Sequence, residues 1–311
     1  MMSVKTSHYN IVLFGVKTDT YDLYKNFKDN IDLVITLNDN ETKKYHISGG
    51  EKINKLIDKK CYESNSYNFS TQECKDFFNN NTFDLGIVYG WQRIIPQYVL
   101  DRFKKGIFGF HASPLGLPFG KGRSPLNWSM ILDFKQVYNH CFQYNKNPDD
   151  GDIYSTSKLD ILPWDNISSL RLKSIINAEK VVNNLIKDFN NDQIKLQDQD
   201  KSKPESFFPK RKSDDGKIDL SKTTNEIFNL IRGVSRPFPG AFLLDKKITI
   251  WEAHPFSYTL FTEEKYKPGD ILKIFDNDTF LLKTIDGVLL IKDYTLTHTK
   301  LIVGNNLNNI K

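Results

Sequence analysis

Along the first half of the chain, short apolar runs alternate with segments whose apolar residues return every three or four positions. Tyr9 to Gly15 is a β-branched run closed by glycine, and Thr20 to Lys28 follows with Tyr21, Leu23, Tyr24 and Phe27 at helical spacing. Ile31 to Leu37 predicts a second strand, Ile53 to Lys60 a short helix, Leu85 to Tyr89 a third strand, Gly106 to Phe110 a fourth and Val137 to Tyr144 a fifth. Between them, Ser70 and Glu73 have capping-box spacing ahead of Phe77 and Phe78. Pro96 stands near the start of a helix expected over Ile95 to Phe103, where its missing N–H costs little, and Ser124-Pro125 opens a helix through Phe134. Strands alternating with helices in this way predict βαβ units and a mainly parallel sheet.

The pattern then changes twice. A long helix is expected from about Ser168 to Phe189, and Asn190 to Asp215 is polar enough to read as a linker with little regular structure. Thr223 to Val234 is amphipathic, with Ile227, Leu230 and Ile231 on one face. Five short runs follow (Ala241–Leu244, Ile248–Trp251, Asp270–Phe275, Thr279–Thr284, Val288–Asp293), separated by turn residues, and they predict a small β-barrel. The division expected is an α/β domain over residues 1–200 and a smaller helix-plus-barrel domain over 205–311.

Composition narrows the classes. With 13% aromatic residues over 311 positions the chain can bury a core. No apolar run approaches the roughly 18 residues that span a bilayer, which argues against a helical membrane protein. The start lacks the features of a signal peptide, and Cys61, Cys74 and Cys141 form neither a paired framework nor metal-ligand spacing, so a reducing, cytoplasmic setting is expected. A net charge of +5, from 43 basic and 38 acidic residues, is too dilute for a dedicated nucleic-acid binder.

Unusual residues concentrate in Gly109-Phe110-His111-Ala112-Ser113 and the glycine- and proline-rich loop that follows it to Trp128. His111 is expected just past a strand, at the carboxyl edge of the sheet, where open α/β folds bind ligands; the plainer reading is an ordinary histidine beside a long loop. Asn147-Pro148-Asp149-Asp150-Gly151-Asp152 should lie at the same edge. It reads as a solvated turn, as a Ca²⁺ loop without EF-hand spacing, or as the source of a carboxylate facing His111. No glycine pattern matches a Walker or dinucleotide fingerprint, which argues against ATP and NAD. Trp91 and Trp128 also read as packing residues, Ser113 as a brace for the loop, and His140 as structural.

These segments resemble the folate-dependent formyltransferase family, which includes methionyl-tRNA formyltransferase and the amino-sugar N-formyltransferases. The resemblance is carried by His111-Ala112-Ser113, by Gly122-Arg123-Ser124-Pro125-Leu126-Asn127-Trp128, by Asp149-Asp150-Gly151 and by Gly90-Trp91-Gln92-Arg93-Ile94-Ile95-Pro96. Arg211 to Leu220 and Asn229 to Phe242 extend it into the last third. It implies a Rossmann-like formyltransferase fold with a C-terminal OB-like barrel, and 10-formyltetrahydrofolate as formyl donor. It also implies His111 and Asp149 as catalytic residues, Gly90, Trp91, Ile94 and Asp149 on the folate side, and Ser113, Arg123 and Trp128 on the acceptor side. One position departs: the family's catalytic Asn, two residues before the His, is Gly109 here.

The Arg123–Trp128 run is more similar to the sugar-nucleotide branch, whose implied acceptor is a dTDP-, UDP- or GDP-linked amino sugar for surface polysaccharide (lipopolysaccharide O-antigen) synthesis, and in which homodimers are common. From Lys201 onward about 18 basic residues face 14 acidic ones, a weak surplus for tRNA. Methionyl-tRNA formylation, a weakly active or non-catalytic folate-binding protein with Gly109 as its cause, and hydrolysis of the formyl donor by water are the alternatives.

Overall fold

The structure, a computed structural model, describes residues 7–45 and 53–308. It divides into two compact units. The first comprises the chain to Gly122, Tyr138–Leu159 and Lys173–Phe207; the second comprises Arg123–Val137, Asp160–Leu172 and the chain from Phe208.

The elements in order are β1 (Ser7–Phe14), α1 (Thr18–Phe27), β2 (Leu33–Leu37), α2 (Asp39–Lys44), α3 (Ile53–Leu56), β3 (Cys61–Ser64), α4 (Gln72–Asn79), β4 (Asn81–Val88), α5 (Gln97–Leu100) and β5 (Ile107–Ser113). Then come β6 (Lys121–Gly122), α6 (Pro125–Ile131), β7 (Gln136–Gln143), β8 (Ile153–Asp160), α7 (Ile167–Asn190), β9 (Phe207–Phe208), α8 (Thr224–Val234), β10 (Ala241–Leu243), β11 (Ile248–Ser257), β12 (Ile271–Ile274), β13 (Phe280–Lys283) and β14 (Val288–Leu296).

The first unit is built on a seven-stranded sheet of order β3-β2-β1-β4-β5-β7-β8. It is parallel from β3 to β5, and β7 runs antiparallel to β5. The apolar runs of β1 and β2 are buried on both faces, as strands of a covered parallel sheet must be. Two apolar layers form. One gathers Phe14, Phe69, Phe78, Phe83 and Trp91, the other Leu23, Tyr24, Phe108, Val182 and Leu185.

Several boundaries correct the sequence reading. The expected fourth strand does not stop at Phe110: β5 continues to Ser113, so His111 lies within a strand, opposite His140 of β7. The cap before Phe77 is Thr71, whose hydroxyl accepts from the Cys74 N–H, not Ser70. The helix expected over Ile95–Phe103 is a single turn with Pro96 as its N-cap. The helix after Ser124 ends at Ile131.

In the second unit, α8 carries the full capping box of Thr223 and Glu226. A five-stranded antiparallel sheet of order β10-β11-β14-β13-β12 surrounds an apolar cluster that includes Ile231, Ile250, Phe280 and Ile291. Among the described residues, no helix is long and apolar enough to cross a membrane.

Candidate active site

In the first unit the β5 strand delivers His111 and Ser113 to the start of the glycine-rich loop. His111 is 7% exposed, and its Nε2 lies 2.8 Å from the Gly120 carbonyl oxygen. A carbonyl only accepts, so Nε2 carries the proton and Nδ1 is turned toward Asp149, whose Oδ1 is 3.4 Å away. The tautomer is therefore set by Gly120.

Asp149 stands at φ +54, in the left-handed region that Asp tolerates better than most residues. It is held there from two sides. Its Oδ2 accepts from the Gly122 N–H at 2.9 Å, and its backbone carbonyl accepts from Gln199 Nε2 at 2.9 Å. The Gln199 amide also bonds the Gly151 carbonyl at 3.0 Å. Gly151 is demanded by space: a Cβ there would overlap the Gln143 carbonyl oxygen outright. The Asp-x-Gly spacing thus has a local cause, because the chain must pass hard against the end of β7 to bring Asp149 back to His111.

Other polar side chains serve the loop. Ser113 is fully buried, with its hydroxyl donated to the Phe119 carbonyl at 2.6 Å. His140 accepts from the Leu117 N–H at 3.1 Å. Lys121, 2% exposed, bridges Asp150 at 2.7 Å and Glu205 at 2.6 Å. Burial depresses the Lys121 pKa, but the two carboxylates outweigh it and the net shift is upward.

The stretch expected to be a linker supplies much of this frame: Gln199 and Glu205 as above, and Ser206, whose Oγ accepts from the Gly120 N–H at 2.8 Å. The strand pair β6–β9 forms there too. Nothing in the polar, unpatterned sequence of 190–207 signals these contacts.

On the folate side of the resemblance, Gly90 is at φ +82, against the Thr20 hydroxyl. Trp91 is buried: its ring stacks on Phe69 with centroids 4.8 Å apart, and its Nε1 finds no hydrogen-bond partner. Trp91 therefore faces the core, and Ile94, 60% exposed, is the apolar side chain this loop presents to solvent. In the second unit, Arg123 donates its backbone N–H to the Phe208 carbonyl at 2.9 Å. Trp128 stacks on Phe208 at 6.0 Å, donates Nε1–H to the Pro209 carbonyl, and lies 5.0 Å from the Arg211 guanidinium.

A buried histidine facing a carboxylate in a mixed α/β sheet, followed by an antiparallel β unit, defines a two-part α/β-plus-β architecture. The formyl transferase model matches residues 11–183, and the model described as formyl transferase, C-terminal domain, matches residues 210–311; the chain belongs to the formyl transferase family. It is 33% identical over 202 residues to the bifunctional polymyxin resistance protein ArnA of Wigglesworthia glossinidia brevipalpis, a match covering 63% of this chain and 29% of that protein. The fold is similar to that of HypX from Aquifex aeolicus in complex with tetrahydrofolic acid (TM-score 0.63, 18% identity, 91% of this chain and 43% of that chain). It is similar as well to an N-formyltransferase from Helicobacter canadensis in complex with folinic acid and dTDP-3-aminofucose (TM-score 0.62, 15% identity, 91% and 98%). The chain thus spans under a third of the curated relative and under half of HypX.

Proposed function

We propose that the chain transfers the formyl group of 10-formyltetrahydrofolate to the primary amine of a nucleotide-linked amino sugar. The observation that carries this reading is the His111–Asp149 pair, with the imidazole pinned through Nε2 and its Nδ1 edge directed at the carboxylate. In the proposed reaction the amine nitrogen attacks the formyl carbon and its lone pair forms the new C–N bond. The carbonyl electrons move to oxygen, and collapse expels the folate nitrogen with its bonding pair. The amine must lose a proton and the leaving nitrogen must gain one. Asp149, or a water bound to it, takes the first. His111, as the imidazolium with protons on both Nε2 and Nδ1, stabilises the oxyanion and gives its Nδ1 proton to the leaving nitrogen, and Asp149 then returns the proton it took to Nδ1. Ile94, on the exposed loop after Gly90, is the candidate apolar contact for the folate donor. The amino-sugar acceptor rests on the Arg123–Trp128 run, on Arg as a bidentate phosphate ligand, and on the nucleotide-sugar complex of the Helicobacter relative.

The test is direct assay of the purified chain with 10-formyltetrahydrofolate and a panel of dTDP-, UDP- and GDP-linked amino sugars, reading formamide by mass. Transfer to at least one acceptor is expected, with His111→Asn and Asp149→Asn each lowering turnover by about 10²- to 10⁴-fold. Formylation of methionyl-tRNA and of no sugar would replace the acceptor. Formate release without transfer would make the chain a hydrolase.

A further inference from the structure

Gly109 leaves the site without the side-chain amide that the family uses at this position, and the structure fills that space from the neighbouring strand. In the β5–β7 ladder Gly109 is paired with Phe142 and His111 with His140. Side chains two apart share a face, so Tyr144, whose N–H donates to the Ile107 carbonyl at 2.7 Å, projects on the face that carries Gly109 and His111. The nearest atoms to a Cβ placed on Gly109 are Oη, Cε1 and Cζ of Tyr144, with Oη the closest. That Oη stands about as far from the Cβ position as the amide nitrogen of an asparagine stands from its own Cβ, which is roughly two covalent bonds. With the phenol in this place a side chain at 109 would meet it, so the ring stands where that side chain would otherwise be.

Building on the formyl-transfer reading, we infer that the Tyr144 hydroxyl is the oxyanion donor of this site, replacing the absent amide and acting beside His111 on the developing alkoxide of the formyl group. A phenol can take that role because it donates one O–H along a defined direction and needs no change of charge. Two features suit it. Burial, then the negative charge of Asp149, raises the Tyr144 pKa, so the phenol keeps its proton at neutral pH. Tyr144 is also only half-buried, so the residue is not sealed in the core.

The experiment compares wild type, Tyr144→Phe and the double variant Gly109→Asn/Tyr144→Val in the transfer assay, with tetrahydrofolate affinity measured by calorimetry. Tyr144→Phe removes one oxygen and keeps the ring. A fall in kcat of about 10²-fold or more, with KM and tetrahydrofolate affinity within about twofold of wild type, is the expected result. A kcat fall of less than tenfold overturns the assignment. If wild type formylates no amine and the double variant does, Tyr144 is a plug rather than a donor, and the formyl-transfer reading of the site survives. If neither transfers a formyl group, both readings fall.

Discussion

Leu117 donates its backbone N–H to Nε2 of His140 over 3.1 Å, while Nδ1 of the same ring lies 2.9 Å from the Thr156 hydroxyl. An Nε2 that accepts has no proton, so the imidazole is neutral and its N–H points to Thr156. Burial, then the charges of His111 and Lys203, depress its pKa to about 4. The folded value lies below the unfolded one of about 6.5, so the unfolded chain binds more protons between them. The stability contribution is present above about pH 6.5 and is lost as pH falls toward 4, by up to about 3 kcal/mol. In urea titrations at pH 7.5 and 5.0, His140→Gln should shrink the stability difference between the two pH values by about 2 kcal/mol relative to wild type. An unchanged difference would refute the neutral-acceptor role. Wild type should also lose activity over the same window, because the Leu117 anchor belongs to the loop that carries Gly120.

The central strands were legible because they are apolar on both faces, and α1, α7 and α8 because their apolar residues recur at helical spacing. Within the seven-stranded sheet, the two strands with no counterpart in the sequence reading, β3 and β8, are its two edges. Edge strands are short or polar by nature: β3 has four residues, and β8 reads IYSTSKLD, with half-exposed and exposed positions throughout. His111 and Asp149 were legible through their motifs. Gln199, Lys121, Glu205 and Tyr144 were not, since a long-range contact from a polar stretch leaves no local period.

Lys121 is the most deeply buried ammonium around the loop, and both of its carboxylate partners are substantially solvent-accessible, Asp150 at 41% and Glu205 at 55%. Removing the lysine therefore strands no buried charge. Lys121→Met should cost only about 1 kcal/mol, or about 2–4 °C in Tm. The effect on transfer should be larger, at least tenfold in kcat/KM, because Asp150 adjoins Asp149 and Glu205 adjoins the Ser206 anchor of Gly120. Scanning fluorimetry with steady-state kinetics checks the split. A variant that melts early but keeps its kcat/KM would disprove the link from this ion pair to the carboxylate.

Gly151 and Gly304 separate two reasons for glycine. At Gly151 a Cβ has no room, since it meets the Gln143 carbonyl, and relief would break both the Gln143 N–H to Asp152 carbonyl bond and the Gln199 contact. At Gly304 nothing lies within 4 Å, but φ is +86. Gly304→Ala should cost about 1 kcal/mol of backbone strain. Gly151→Ala should cost about 3 kcal/mol and reduce transfer. Equal losses in denaturant unfolding would mean that the chain at 151 relaxes freely.

Arg232 and Arg236 lie four residues apart in one motif, yet their surroundings give them different weights. Arg232, 6% exposed on α8, donates Nε–H to Asn229 at 2.8 Å and Nη1–H to the carbonyls of Leu162 and Asp165 at 3.0 and 3.2 Å. Its Nη2 lies 3.8 Å from Asp133. Burial lowers its pKa, with the Asp133 and Asp165 charges opposing that shift, so the guanidinium holds its proton inside a frame of acceptors. Taking it away removes the donor that those two carbonyls share. Arg232→Met should cost about 3–5 kcal/mol, and Arg232→Lys should recover little, because one ammonium cannot reproduce the planar fork. Arg236 is 56% exposed, paired with an Asp293 that is 42% exposed, and its guanidinium rests 4.4 Å from the Trp251 ring. Arg236→Ala should cost at most about 1 kcal/mol. Urea unfolding of the three variants decides the matter: matched losses at the two positions would show that the buried frame around Arg232 adds nothing to an ordinary surface pair.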